Sequence, residues 1–172
     1  MPVPLILPVG MTLGVIAWTL FFTWYVNPAL RKKSFANAMR PLLLLHAFRY
    51  IGLMFLIPGV TAEPLDTRFA SPAAYGDLVA ALLALASLDV LRVNEKAGLT
   101  LVWIFNFWGL ADLLNAVGRG LLFTPDGALG AAFWIPLLIV PLLVVSHVYI
   151  FNRLWAETRR WWTSSPAGRF SE

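Results

Sequence analysis

Five apolar runs dominate this chain: Pro4–Val26, Pro41–Val60, Ala74–Leu91, Leu99–Phe123 and Ala131–Phe151. A helix of about 20 residues at 1.5 Å rise covers the hydrocarbon core of a bilayer, so four of the runs are long enough to cross one unaided. The third is the weak one, because its uncharged stretch between Asp77 and Asp89 covers only about 18 Å of helix. Of the 172 residues, 59% are hydrophobic and 13% charged. A soluble domain carries about twice that charged fraction. Too few polar groups remain to cover a water-exposed surface, and the bilayer is the expected solvent for most of the chain.

Loop charges settle the third run. Arg31, Lys32, Lys33 and Arg40 lie between the first two runs, Arg92 and Lys96 follow the third, and Arg153, Arg159, Arg160 and Arg169 follow the fifth. The other connections carry Glu63, Asp66 and Asp126 against one basic residue, Arg68. If all five runs cross, ten of the 13 basic residues fall on one side. The positive-inside bias therefore predicts an all-α, integral membrane bundle of five transmembrane helices, N-terminus outside and C-terminus cytoplasmic, in a bacterial-type cytoplasmic (inner) membrane. Pro41 is expected at the first helical position of its span. Trp24, Tyr25, Trp103 and Trp155 mark the inner interface, Tyr75 and Trp134 the outer one. The N-terminal run, about 22 residues without a basic flank or a cleavage site, reads as a retained helix rather than a signal peptide.

Residues 1–152 thus form a transmembrane domain and 153–172 a cytoplasmic amphipathic tail. The segment NRLWAETRRWWT, from Asn152 to Thr163, suits a short interfacial helix or a docking surface in a homo-oligomer or larger membrane complex. Gly10 with Gly14, and Gly76 with Ala80 and Ala84, make small-residue faces of the kind that let helices approach closely in lipid. The net charge of +4 reflects these topological clusters and not a nucleic-acid patch. With no cysteine, disulfides, thiol redox chemistry, iron–sulfur clusters and thiolate metal sites are excluded.

Ionisable groups inside spans are costly and mark candidate sites. Counting helical rise from the loops places His46 and His147 both roughly 9 Å inside the cytoplasmic boundary, with Asn106 near that level. Arg49 lies one turn deeper than His46, and Asp112 close to the level of Arg49. Asp77 and Arg119 fall near the outer surface. Two ion pairs follow as expectations, Arg49 with Asp112 and Arg119 with Asp77. Trp108, Asp112, Asn115 and Arg119 share one face of the fourth span, which should point inward.

These residues support several readings. The first is a site for a small anionic or amphipathic molecule, bound or helped across the membrane, in a polar pocket opening inward and lined by Arg49, Asp112, His46, Asn106, Asn115 and His147. Pro136 and Pro141 free the carbonyls of Ala132 and Leu137 and bend the fifth helix beside it. The second is a b-type haem held by His46 and His147, the two histidines of the chain, with Arg49 meeting a propionate. The third is an accessory or structural subunit of a larger membrane complex. Catalysis is the least supported, since no Ser–His or paired-carboxylate arrangement is visible. All three lysines lie in loops, which excludes a retinal Schiff base. No other metal site has the ligand spacing it needs.

Overall fold

The computed structural model describes residues 3–164. It is all-helical, with five helices long and apolar enough to cross a membrane: α1 (Leu5–Leu30), α2 (Phe35–Leu56), α3 (Thr67–Val93), α4 (Glu95–Phe123) and α5 (Gly130–Thr163).

The helices run further than the apolar runs because polar residues cap and extend them. Asp66 accepts a hydrogen bond from the Arg68 backbone N–H at 2.8 Å and starts α3 seven residues before Ala74. The Arg68 side chain and backbone bonds hold the Asp66 carboxyl down at about 2. Helix α2 begins at Phe35 after Ser34, so Pro41 sits inside the helix rather than at its first position. Asn94 alone separates α3 from α4, and its side chain accepts from the Ala97 N–H at 3.1 Å. That makes α3 and α4 an antiparallel hairpin with the tightest connection in the chain.

Two helices relax around proline. Five-residue π turns at Phe22–Val26 and Ile135–Ile139 lie just before Pro28 and Pro141; a widened turn accommodates the missing N–H. Helix α2 instead tightens, running as a 3-10 helix from Phe48 to Leu56. The expected separate interfacial helix is not formed, because α5 continues without a break through Asn152 to the end of the described residues. Trp103 Nε1 donates to Thr158 Oγ1 at 3.1 Å, and Lys96 lies 4.9 Å from the Trp161 ring, so this extension packs on the start of α4. Residues 165–172 of the expected tail, Arg169 among them, lie outside the described residues.

Two apolar cores divide the bundle. One gathers Phe35, Met39, Leu43, Val102, Phe105, Ile150 and Leu154 near the α3–α4 connection. The other gathers Phe55, Phe69, Leu113, Leu129, Ile135 and Leu143 toward the opposite end. There the loops before α3 and before α5 are tied by two hydrogen bonds, Ala62 N–H to Ala128 O and Ala131 N–H to Val60 O, each 3.0 Å. Gly130 permits that approach, with φ of +50° and the Ala62 nitrogen where a Cβ would sit.

Both small-residue faces are used within the chain. Ala80 and Ala84 of α3 are fully buried within the bundle. Gly10 and Gly14 receive Leu137 and Pro141 of α5, and Trp18 Nε1 donates to the Leu138 carbonyl at 3.2 Å. Helix α1 is otherwise peripheral, with 6% of its apolar window buried against 39–44% for the other four.

Candidate functional site: a charged layer between two apolar cores

The centre of the site is Arg49, whose side chain is wholly buried. Its Nε donates to Asp77 Oδ1 at 2.7 Å and its Nη2 to Asp112 Oδ2 at 2.7 Å. Nη1 donates to the Gly109 carbonyl at 2.9 Å and meets His147 Nε2 at 3.3 Å. Four hydrogen bonds thus fix a planar guanidinium between α2, α3, α4 and α5, an arrangement that its rigid fork of donors suits.

The rest of the network settles the histidine tautomers. His147 Nδ1 lies 2.7 Å from Asn106 Oδ1, which can only accept, so Nδ1 carries the proton and Nε2 presents its lone pair to Arg49. Asn106 returns a bond from Nδ2 to the His147 carbonyl at 3.2 Å. His46 Nε2 lies 2.8 Å from Ser146 Oγ, and that hydroxyl spends its proton on the Leu143 carbonyl. His46 therefore donates from Nε2, and its buried Nδ1 has no partner among the described residues. With both imidazoles neutral, the layer holds one guanidinium and two carboxylates, a formal excess of one negative charge.

Three glycines, on three helices, make room for these groups. A Cβ on Gly109 would stand 2.6 Å from His147 Cε1 and 2.8 Å from Arg49 Nη1. On Gly52 it would overlap the Asp77 carboxylate, and on Gly76 the Asp112 carboxylate. Close approach of backbone to charge is the reason for glycine at each. Gly76 belongs to a small-residue face legible in the sequence, but its place beside Asp112 is not, and Gly52, Gly109 and Ser146 do not stand out there. The one available sign was that Gly52, Gly76 and Gly109 each lie within four residues of an intramembrane charge or its helix neighbour.

The Arg49–Asp112 pair forms, and His46, Asn106 and His147 gather with it as depth counting predicts. The expected Asp77–Arg119 pair does not form. Helix α3 starts seven residues early, which carries Asp77 about 15 Å into the helix and to the level of Arg49. Arg119 instead donates to Asn115 Oδ1 at 2.9 Å and to the Arg68 carbonyl at 2.8 Å. That carbonyl is free because its helical partner, four residues on, is Pro72. Asn115 therefore lies outside the cluster, on an exposed stretch of α4. Trp108 is also exposed, its Nε1 donating to the Gly76 carbonyl at 3.3 Å, so of the inward face expected on α4 only Asp112 is buried.

The two histidines do not fit axial ligation of a haem. Ligands to one iron stand on opposite faces of the macrocycle, their ring centroids roughly 6 Å apart for metal–nitrogen bonds of about 2 Å. Here the centroids are 4.2 Å apart and the rings are in contact, with Phe105 against both. Both nitrogens of His147 are also engaged within the protein.

Space for a ligand lies beside the charged layer rather than among its members. A cavity of about 430 Å³ is walled by apolar side chains such as Met11, Phe55, Phe69, Leu113 and Ile135, reaches Asp77, and extends to the loop at Thr124–Gly127. No curated protein and no solved structure matches this chain. Residues 6–155 match a domain of unknown function, DUF8737, and the protein belongs to that family.

Proposed function

We propose that this is a multi-pass protein of a bacterial-type cytoplasmic membrane that binds, and helps to move, an amphipathic small molecule. The observation that carries the reading is the cavity: about 430 Å³, within the range of small-molecule sites, apolar along most of its wall and ending on a charged group. An apolar tail fits the wall, and a polar end meets Asp77. The charged layer behind Asp77 holds that carboxylate in one place, as rigidly supported sites require.

Filling the space tests this directly. Ala116 lines the cavity, and Ala116→Phe places a ring in it. In purified protein, a single-chain amphiphile at 100 times its Kd stabilises the wild type by about 2.7 kcal/mol. The variant is expected to fold and to lose that stabilisation. Equal ligand-induced thermal shifts in both proteins would place the site elsewhere.

The orientation proposed with this reading has the N-terminus outside and the basic connections in the cytoplasm. Because the chain lacks cysteine, single cysteines report it cleanly. In intact cells a membrane-impermeant maleimide should label Glu63→Cys, and should label Lys32→Cys only after permeabilisation. The reverse pattern would invert the topology.

A second reading, a subunit of a larger complex, draws on α1, whose outward face carries Leu13, Ile16 and Trp24 more than half exposed.

A further inference from the structure

We propose that the ligand of the cavity is a cationic amphiphile, a single apolar chain ending in a protonated amine that docks on Asp77. This rests on the cavity being the binding site, and it replaces an anionic ligand with one of opposite charge.

Three observations point the same way. Among the described residues, the ionisable side chains on the cavity wall are Asp77 and Asp126, both acids, and no Lys, Arg or His lines it. The guanidinium that would attract an anion is sealed behind its partners, with no exposed side-chain surface, while the Asp77 side chain keeps 13% of its own. Arg49 thus faces the protein and Asp77 faces the space.

The second observation is an unfilled acceptor. Asp77 as a residue is 9% exposed, and its Oδ1 is held by Arg49. Its Oδ2 takes no hydrogen bond among the described residues. An ionised carboxylate has about four acceptor positions, so a donor can be added without displacing Arg49.

The third is charge balance. Arg49 is shared by two carboxylates, and the histidine tautomers leave no second cation in the layer. An uncompensated charge away from water is costly, by several kcal/mol after relaxation. An ammonium group at Asp77 Oδ2 brings the layer to neutrality and makes a charge-assisted hydrogen bond, which is roughly twice as strong as a neutral one. A hydroxyl supplies the hydrogen bond without the charge, and a carboxylate supplies repulsion. The rival solution is a proton resident on one carboxylate, which would make amine and alcohol equivalent.

The test compares decylamine, decanol and decanoate, three probes with the same tail, on the wild-type protein in zwitterionic nanodiscs at pH 7, where the amine is protonated. Thermal stabilisation is read as a function of probe concentration, with Ala116→Phe as the reference for partition into the bilayer. Decylamine is expected to bind at least ~10-fold more tightly than decanol, about 1.4 kcal/mol, and decanoate to give no shift above the reference. Asp77→Asn should bring amine and alcohol within about threefold of each other. If that variant does not fold, the wild-type ranking still decides. Equal binding of amine and alcohol, or preference for decanoate, overturns the cationic ligand and leaves the cavity reading standing. No shift from any probe beyond the blocked variant overturns the cavity reading and the ligand class with it.

Discussion

Arg49→Ala should lower stability by about 3–5 kcal/mol, enough to unfold a marginal bundle. The substitution strips both Asp77 and Asp112 of their counter-charge. It also leaves the Gly109 carbonyl and His147 Nε2, both in buried contacts, without the donor they have in the folded protein. Asp112→Ala should destabilise by less, because Arg49 keeps Asp77. The Arg49→Ala/Asp112→Ala double variant should be less harmful than the sum of the two, since the second loss removes a charge the first had orphaned. Relief in that pair is nevertheless partial, because Asp77 remains uncompensated. Only a triple variant that adds Asp77→Asn should recover most of the loss. Thermal unfolding in one detergent of the wild type and the four variants checks the series. Strict additivity of Arg49 and Asp112 would mean that their 2.7 Å contact carries no coupling.

The second large effect separates two glycines on one helix. Gly109→Ala forces its methyl against the His147 ring and Arg49 Nη1, and overpacking of this kind costs about 1–3 kcal/mol. Gly118→Ala, nine residues on in α4, meets nothing within 4 Å and should stabilise by about 0.5–1 kcal/mol through helix propensity. The same chemical change on the same helix is thus expected to act with opposite signs. Unfolding midpoints of the two variants, measured side by side, decide it. Equal effects would mean that the backbone at Gly109 can move away from the charged layer.

The physical origin of this contrast also explains how much could be read from the sequence. Hydrophobic run length locates all five helices, because length and apolarity are the quantities on which that reading depends. Depth counting brings His46, Arg49, Asn106, Asp112 and His147 together, because each level can be counted from a loop or helix end that the sequence locates. It fails at Asp77. The turns that begin α3 are polar and contain Pro72, so they look like loop, yet Asp66 caps them and they are helix. Arg119 was unreadable for a different reason: its acceptor is a backbone carbonyl, released by a proline on another helix. The facing of α4 is misjudged by part of a turn. Trp108, Asp112 and Asn115 spread over roughly 60° of arc, and only Asp112, at one edge of that arc, is buried. Glycines that admit a charge and glycines that admit nothing are identical in sequence, so Gly52, Gly76 and Gly109 emerge only when the neighbouring helix is in place.

The sharing of one guanidinium by two later helices has a consequence for biogenesis in the proposed membrane. Arg49 is made 28 residues before Asp77 and 63 before Asp112. At about 5–20 residues per second, α2 waits roughly 3–13 s for its second counter-ion. During that interval it is a helix with an unpaired cation, a poor candidate for release into lipid by itself. The one-residue junction at Asn94 shortens the wait, since α3 and α4 can arrive as a single hairpin that delivers both carboxylates together. On the proposed membrane topology, α2 is expected to be held by the insertion machinery until the hairpin is complete, and a longer α3–α4 connection should be felt first as slower maturation of the nascent chain.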